Sequence, residues 1–329
     1  MGIKTLNKIA KRLRSQRMER GALVLASPEV KFSVENDTDD PVDVEMKQLK
    51  ETNALVEEFM LLANISVARR IHQVFPESSL LRRHPQPPAS NFDGLKRACA
   101  EYGVSLNVAT SKQLADSLDA AIYEPEPYFN QLVRIMTTRC MMQAVYFCSG
   151  TIQMPEFWHY GLACDIYTHF TSPIRRYADL IVHRLLAASI GYDENYSAEL
   201  TDKSKLSELS TVLNYRHRQA QQASRSSVEL YTNIFFRGKE RLVEDGFVIR
   251  LLKNGISVLI PRYGLESIVH FPRGTEVELD ESAGTLTAGQ AVLKLFGKVR
   301  VGICIETAGQ GAQRSKLVLD LVEPAVSFS

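Results

Sequence analysis

The spacing of apolar residues divides the chain into a helical first part and a β-rich last part. Apolar residues recur every three or four positions over 3–20, which predicts a helix that Gly21 would end. A longer helix is predicted over 45–75, and its middle, 54–68, is apolar on nearly every side, as in a helix buried inside a larger body. Further helices are predicted over 92–102, 111–120, 127–148 and 203–238.

Short alternating segments predict strands in two places. Residues 22–35 suggest a strand on each side of a Ser27-Pro28 turn, and 104–108 form a possible strand. After Gly238 the pattern changes: 245–271 contains three short strands, and "KVRVGICIE" and "KLVLDLVE" supply two more. Five short strands in about 85 residues predict a small closed barrel of the OB-fold type.

Composition adds limits to this picture. At 329 residues, with 45% apolar and 23% charged residues, the chain is long enough for two or three ordinary globular domains. The formal net charge is only +1, but basic residues are concentrated in the helix predicted over 3–20. Their side chains either form a solvated face or guide RNA by electrostatic attraction. Five scattered cysteines and no apolar run of about 18 residues predict a reduced, cytosolic or nuclear protein without a membrane span.

The stretch "YTHFTSPIRRYADLIVHR", residues 167–184, predicts a further helix. Thr171 or Ser172 would be its N-cap, and Pro173 suits the first helical position because it has no N–H to leave unpaired. An inward-facing stripe is predicted from residues at helical spacing: Tyr177, Leu180, Ile181, Arg184, Leu185 and Ala188.

Two arginines, Arg175 and Arg176, fall in the predicted first turn of this helix, where the dipole disfavours each exposed cation by about 0.3–1 kcal/mol. Arg175, Asp179 and His183 are spaced by four and would share one face. A phosphate at the helix N-terminus, gripped by guanidinium, would compensate the cost. The alternative is that Asp179 pairs with the two arginines on the surface.

The longer segment "HYGLACDIYTHFTSPIRRYADLIVHRLL" closely resembles the signature of the RNase II and RNase R family of processive 3′-to-5′ exoribonucleases. "GALVLASPEVKF", "ETNALVEEFMLLANISVARRI" and "LADSLD" resemble the same family in the same order. The likeness covers nearly the whole chain and is closest to the eukaryotic, exosome-associated branch. The terminal barrel is similar to the S1-type RNA-binding domain that closes these proteins.

The resemblance implies an α+β protein of two parts. Residues 1–240 would form the mostly helical C-terminal portion of an RNB exoribonuclease domain, and 241–329 a five-stranded OB-fold of the S1 type. The implied function is binding of single-stranded RNA and its hydrolysis to nucleoside monophosphates in RNA processing and decay. Exosome core subunits would be partners, the location would be the nucleus, including the nucleolus, or the cytoplasm, and neither DNA nor a membrane would be bound.

The family resemblance also assigns roles around the Ser-Pro-Ile-Arg motif. Arg175 stands where the family has an arginine that stabilises the phosphoryl charge, and it would act as the transition-state clamp. Arg176, Arg184 and Ser172 would contact RNA, and Asp179 and His183 would help to orient the arginines.

A carboxylate on the long helix is assigned in the same way. By motif, Glu57 would lie near the last nucleotide, and Asn53, Glu57 and Asn64 share one face of an otherwise apolar helix. A buried carboxylate without a partner is costly, so the alternative is a satisfied structural hydrogen-bond network.

The magnesium ligands of the family are the element that this chain lacks. The resemblance implies Mg²⁺ held by aspartates of a D-x-D-D-like motif that lies upstream of everything matched here, so no metal ligand is assigned in this chain. The acidic run "DTDDPVD" (Asp37, Asp39, Asp40 and Asp43) offers paired carboxylates, but its Asp- and Pro-rich composition is typical of a solvated turn. Whether the chain is an enzyme is therefore open: it is part of an exoribonuclease, or a catalytically inactive RNA-binding or scaffold fragment.

Three residues of the barrel are candidates for contact with RNA. Phe247, Tyr263 and His270 stand where S1-type domains place groups that stack on bases. For Phe247 the alternative is a place in the barrel core. Tyr263 lies beside Arg262, and His270 precedes Arg273.

Overall fold

Among the described residues, seven α-helices make up about half of the first 240 positions. The computed structural model describes residues 2–27, 30–34, 41–46, 50–272, 274–280, 284–307 and 315–325. The helices are α1 (Gly2–Glu19), α2 (Glu51–Val74), α3 (Asp93–Ala100), α4 (Ser111–Ala120), α5 (Phe129–Cys140), α6 (Tyr177–Ser189) and α7 (Lys203–Phe236). Gly21 follows α1 and has φ +94°, a conformation that side chains other than hydrogen disfavour. A Cβ atom at this position would lie 2.6 Å from the backbone nitrogen of Lys112, so glycine is required where α1 ends.

Two antiparallel strand pairs lie within this helical part. One is β1 (Val30–Val34) with β2 (Pro41–Met46), and the other is β3 (Leu80–Arg83) with β4 (Val145–Cys148). The second pair, together with α2 and α6, surrounds a buried apolar cluster that includes Ile71, Leu80 and Leu185. This cluster supports the segment between β4 and α6.

The last part of the chain is a closed barrel with a small added sheet. The barrel strands are β5 (Leu242–Leu252), β6 (Gly255–Ile260), β7 (Leu265–His270), β11 (Lys298–Thr307) and β12 (Ser315–Glu323), and they close in the order β11-β12-β7-β6-β5. A three-stranded antiparallel sheet is formed by β8 (Val277–Asp280), β9 (Thr285–Ala288) and β10 (Ala291–Lys294). The predicted five-stranded barrel and the α+β class are confirmed; the added sheet was not predicted.

The barrel and the helices share one apolar core. Phe247 and Phe296 of the barrel pack in the same cluster as Phe129 of α5. The Tyr128 and Phe247 rings stack with centroids 5.3 Å apart, and the Tyr102 hydroxyl donates to the Leu295 carbonyl at 2.7 Å. The barrel is therefore packed against the helical part rather than tethered to it.

Several predicted elements are wrong in part. Residues 22–27 form no strand, because the Leu23 amide donates to the carbonyl of Gly161 in an irregular turn. Residues 104–108 form none either. The predicted helix over 127–148 ends at Cys140, and the residues from Val145 onwards pair with β3 as a strand.

Candidate functional site

The Ser-Pro-Ile-Arg motif forms a turn in front of α6 rather than its first helical turn. The amides of Arg175 and Arg176 both donate to the Ser172 carbonyl at 3.2 Å, and Arg176 has extended backbone angles, φ −130° and ψ 117°. The predicted N-cap at Thr171 or Ser172 is therefore wrong, and Arg176 occupies the cap position. We call residues 171–176 the arginine turn.

A buried ion pair holds the arginine turn on the helix. Asp179 is fully buried and accepts from Arg176 Nε and Nη2, each at 2.7 Å, in a bidentate pair. It also accepts from the backbone amide of Ser172 at 2.7 Å. The predicted pairing of Asp179 is thus found with Arg176, but inside the protein instead of on its surface, and it fixes both ends of the turn.

The tip of the arginine turn points to solvent. Ile174 is 97% exposed. Among the residues that the structure describes, the side chain of Arg175 makes no hydrogen bond or ion pair, and the same holds for the side chain of the exposed Arg184. A rigid turn therefore presents an unpaired guanidinium, which is the arrangement that bidentate phosphate recognition requires.

The predicted inward stripe of α6 is confirmed at Ile181 and Leu185 and wrong at Tyr177, Leu180 and Arg184, which are exposed. The buried face of α6 is made of Ala178, Asp179, Ile181, Val182, Leu185 and Ser189. Tyr177 and Leu180 are exposed beside the arginine turn. His183 is stacked on Phe170, with centroids 4.3 Å apart, and its Nε2 lies 2.8 Å from the Phe170 carbonyl oxygen.

Behind the arginine turn lies a group of four rings and one guanidinium that we call the ring cluster: Arg82, Tyr146, His159, Tyr167 and the half-buried His169. The Tyr146 hydroxyl and His169 Nδ1 are 2.6 Å apart, and the Tyr167 hydroxyl accepts from Asn64 at 2.9 Å. Burial, followed by the charges of Arg82 and Arg176, lowers the pKa of His169 to about 2, so its imidazole is neutral. The sequence analysis predicted no strand over Leu80–Arg83, so it did not find this cluster.

On α2 the buried carboxylate belongs to Glu58 and not to Glu57. Glu58 is 4% exposed and accepts from Arg17 at 2.5 Å, whereas the Glu57 side chain is 50% exposed and lies 3.4 Å from the same guanidinium. Of the predicted polar face, Asn53 is exposed and only Asn64 is buried. Glu57 is therefore accessible, at the edge of a cleft of about 550 Å³ between α1 and α2.

The middle of α7 is uncovered. Residues 218–230 are all exposed, which leaves more than three helical turns without a packed face. This segment carries Arg218 and Arg225 against the single acid Glu229. One turn earlier, Asn214 bonds to the backbone of Tyr146 at 2.7 and 2.8 Å, so α7 passes directly beside the ring cluster.

Two of the three predicted barrel residues are buried. Phe247 stacks on Tyr128 in the shared core, as its alternative interpretation had it. Tyr263 is covered by Phe236, at 5.1 Å between centroids, and its hydroxyl donates to Glu244 at 3.1 Å. Neither ring offers a free face to a base. His270 is exposed, and Arg273 lies outside the described residues.

The described part of the chain offers no candidate metal site. It contains no group of three or more His, Cys, Asp or Glu side chains that could hold a metal ion. Asp43 is exposed on β2, and Asp37, Asp39 and Asp40 lie outside the described residues. Among the described helices, none is long and apolar enough to cross a membrane.

Comparison with known proteins gives consistent matches. The RNB domain family matches residues 2–191, and an S1 domain family matches 242–318. The chain is 49% identical to the exosome complex exonuclease RRP44 of Homo sapiens over 98% of its own length and 34% of that protein. It is 56% identical to the exosome complex exonuclease dis3 of Schizosaccharomyces pombe over 82% of the chain and 28% of that protein. It thus spans about a third of the length of these relatives.

Solved structures share the fold at lower identity. RNase R of Mycoplasma genitalium, in complex with ribose-methylated single-stranded RNA, matches with a TM-score of 0.82 at 20% identity, over 97% of this chain and 49% of that one. The yeast pseudonuclease Ssd1 matches with a TM-score of 0.75 at 18% identity, over 98% of this chain and 51% of that one.

Proposed function

The chain belongs to the RNB-domain exoribonuclease family, and on that premise we propose that it is the RNA-gripping portion of a 3′-to-5′ exoribonuclease. Its substrate in this proposal is single-stranded RNA, released as nucleoside monophosphates. The family match supports a role in RNA processing and decay. We place the division between the RNB portion, 1–240, and the S1-type barrel, 241–329, at the end of α7.

The observation that carries the proposal is the unpaired, exposed Arg175 at the tip of a rigid turn. Arg176 and Ser172 are held by Asp179, so the turn does not have to be ordered when RNA binds. Arg175 would stabilise charge that develops on the transferred phosphoryl group. Arg176 and Ser172 then act mainly by fixing the turn, and the exposed Arg184 and His270 remain available for contacts with RNA.

Glu57 keeps a place in the proposal because it is accessible. Its carboxylate faces the cleft between α1 and α2, and an exposed carboxylate can accept hydrogen bonds from ribose hydroxyls near the last nucleotide. Phe247 and Tyr263 are left out because their rings are covered.

Exoribonucleases of this family are generally metal-dependent, and we propose Mg²⁺ as the ion. The described residues do not fit a magnesium site, so no step of the reaction is assigned to the ion in this chain. Its ligands are expected on sequence that lies outside this chain.

The relatives are named as exosome complex exonucleases, and we propose association with exosome core subunits and a nuclear, including nucleolar, or cytoplasmic location. The second candidate is a non-hydrolytic RNA-binding or scaffold module. The lack of an acidic cluster among the described residues favours this candidate for the isolated chain.

The deciding experiment incubates the purified chain with 5′-labelled single-stranded RNA and Mg²⁺ and resolves the products on a denaturing gel. A ladder that shortens from the 3′ end and is abolished by EDTA and by Arg175→Ala supports hydrolysis by this chain. Arg69→Ala is the matched control, because Arg69 is an exposed arginine that pairs with Asp165.

Intact RNA together with a salt-dependent shift on a native gel favours the binding module. If neither cleavage nor binding occurs, both candidate functions are wrong for this chain.

A further inference from the structure

A small surface groove of about 190 Å³ lies between α6 and the start of α7, and we call it the α6/α7 groove. Its floor is apolar and is formed by Ile181, Leu200 and Leu206, which are buried and belong to the same apolar cluster as Leu185. A cavity of about 150 Å³ can hold one benzene ring, so this groove has room for one large apolar side chain. Because the floor is part of a packed core, it does not have to form when a ligand enters.

The rim of the groove carries three ionisable side chains, Arg184 on α6, Lys205 on α7 and Glu199 between the two helices. All three are exposed, and among the described residues none of their side chains makes a hydrogen bond or an ion pair. Lys203 shows the ordinary alternative, since it pairs with Glu77 at 3.6 Å. The groove thus holds two cations and one carboxylate that do not neutralise one another.

Capped turns fix the backbone that carries these side chains. The Ser197 hydroxyl accepts from the amide of Glu199 at 3.3 Å and caps the short helical turn Ala198–Thr201. Asp202 accepts from the amide of Lys205 at 3.0 Å and caps α7. The amides at the start of α7 are therefore used by its own cap, and the positive charge offered to a ligand there is that of the Lys205 side chain.

One border of the groove is exposed and apolar. Tyr177 lines the groove and is 58% exposed, and Leu180, nearly one turn later on α6, is 44% exposed. Exposed apolar residues beside a small pocket are typical of protein interfaces, in which tyrosine and arginine are enriched. The α6/α7 groove therefore combines a pocket for one side chain with an apolar border and a charged rim.

The mixed charge of the rim favours a polypeptide over a polynucleotide as the ligand. Every link of an RNA strand carries a negative charge, so a strand in the groove would bring phosphate close to Glu199 as well as to the cations. A polypeptide can offer a carboxylate to Arg184 and Lys205 and a backbone N–H or a basic side chain to Glu199. The complementary ligand is a segment in which acidic residues flank an apolar one.

We propose that the α6/α7 groove is a docking site for a short segment of a partner protein. One leucine or aromatic side chain of that segment lies over Leu200 and Leu206, and neighbouring Asp or Glu residues pair with Arg184 and Lys205. The inference does not rest on RNA binding by the chain. Because Arg184 is also a candidate for contact with RNA, the test includes an oligonucleotide.

The test follows the methyl signals of Ile181, in the floor of the groove, by NMR of the 329-residue chain; they are assigned with Ile181→Val. Three peptides with blocked ends are titrated: Ser-Gly-Asp-Phe-Asp-Gly-Ser, the same peptide with Ser in place of Phe, and the same peptide with Lys in place of both Asp. Oligouridylate is titrated as well. The variant is Lys205→Glu, and the matched control is Lys203→Glu, which makes the same charge change outside the groove.

The phenylalanine peptide is expected to shift the Ile181 signals until they saturate, and the serine peptide should bind about tenfold more weakly because it leaves the apolar floor uncovered. Lys205→Glu should weaken the phenylalanine peptide about fivefold, since it removes one exposed ion pair, and should strengthen the lysine peptide. Lys203→Glu should leave both affinities unchanged, and Tm should stay within about 2 °C for both variants.

Four results would overturn the inference. The phenylalanine peptide leaves the Ile181 signals unchanged, or the serine peptide binds as tightly, which would mean attraction to the cations without a pocket. Lys203→Glu weakens the peptide as much as Lys205→Glu does, which would mean that the position of the charge is irrelevant. Oligouridylate shifts the signals at a lower concentration than the peptide, which would mean that the groove contacts RNA instead.

Discussion

Replacing Asp179 by asparagine tests whether the arginine turn is held by its buried ion pair. The carboxylate is fully buried and accepts three hydrogen bonds, two of them from Arg176, whose own side chain is 19% exposed. Breaking a buried pair on one side costs about 3–5 kcal/mol, because the remaining charge is left uncompensated. Since Arg176 can partly reach water, we expect the lower end, about 3 kcal/mol.

Thermal unfolding followed by circular dichroism measures this loss. At about 2 °C for each kcal/mol in a chain of this size, Asp179→Asn should lower Tm by about 6 °C. The matched control is Asp165→Asn, because Asp165 pairs with Arg69 at 2.9 Å and both side chains are 58% exposed. An exposed pair contributes about 0–1 kcal/mol, so Tm should fall by at most about 2 °C.

A double variant extends the test to the cause of the loss. Arg176→Met combined with Asp179→Asn removes both charges, so it should be less destabilised than Asp179→Asn alone. The reasoning is refuted if Asp179→Asn and Asp165→Asn lower Tm equally, or if the double variant is the least stable of all.

Three other predictions concern the core, the imidazoles and the first helix. Phe247→Ala should cost about 3–5 kcal/mol of stability, measured as a fall in Tm; a weaker RNA affinity at unchanged Tm would show that the ring contacts RNA instead. Folding lowers the pKa of His169 from 6.5 to about 2, so the unfolded chain binds more protons than the folded chain between these pH values. The free energy of unfolding should therefore decrease as pH falls below about 6.5. His169→Gln should flatten that decrease, measured as the urea-unfolding midpoint at each pH. Glu58→Gln should destabilise the contact of α1 with α2 by about 2–3 kcal/mol and speed proteolysis of α1, whereas Glu57→Gln should change both little.

The elements that depend on local sequence were predicted well. The bounds of α4 and α7 agree with the sequence pattern, since Thr110 and Asp202 cap these helices with their own side chains. The turn between β6 and β7 ends at Gly264, whose φ of +55° is the left-handed conformation that glycine favours.

The elements that depend on distant partners were predicted poorly. Val145–Cys148 is a strand because β3, more than sixty residues earlier, pairs with it, and nothing in its local pattern required this. The start of α6 is displaced because Asp179 binds the amide of Ser172 and draws the preceding residues into a turn. For the same reason the ring cluster could not be found from spacing: its members come from separate segments that only the fold brings together.

The family resemblance singled out Arg175 for contact with phosphate, and the Arg175 side chain is exposed in the structure. The buried carboxylate of α2 is Glu58 rather than Glu57, which shows that helical periodicity alone does not predict which of two neighbouring side chains is buried. A difference of one residue turns a side chain by about 100° around the helix, and the position of Arg17 on another helix decides which carboxylate is covered.

The uncovered middle of α7 has a mechanical consequence. A helix normally frays from its ends, but here the ends are anchored, by Leu206 and Ser210 on one side and by Phe235 and Phe236 on the other. Residues 218–230 are all exposed, and Gln221 there accepts a hydrogen bond from the exposed Gln143. The least protected amides of this helix should therefore lie at its centre. Opening of the helix there would let the two anchored ends rotate relative to each other while both cores stay packed. The middle of α7 would then be a flexible connection between its two ends.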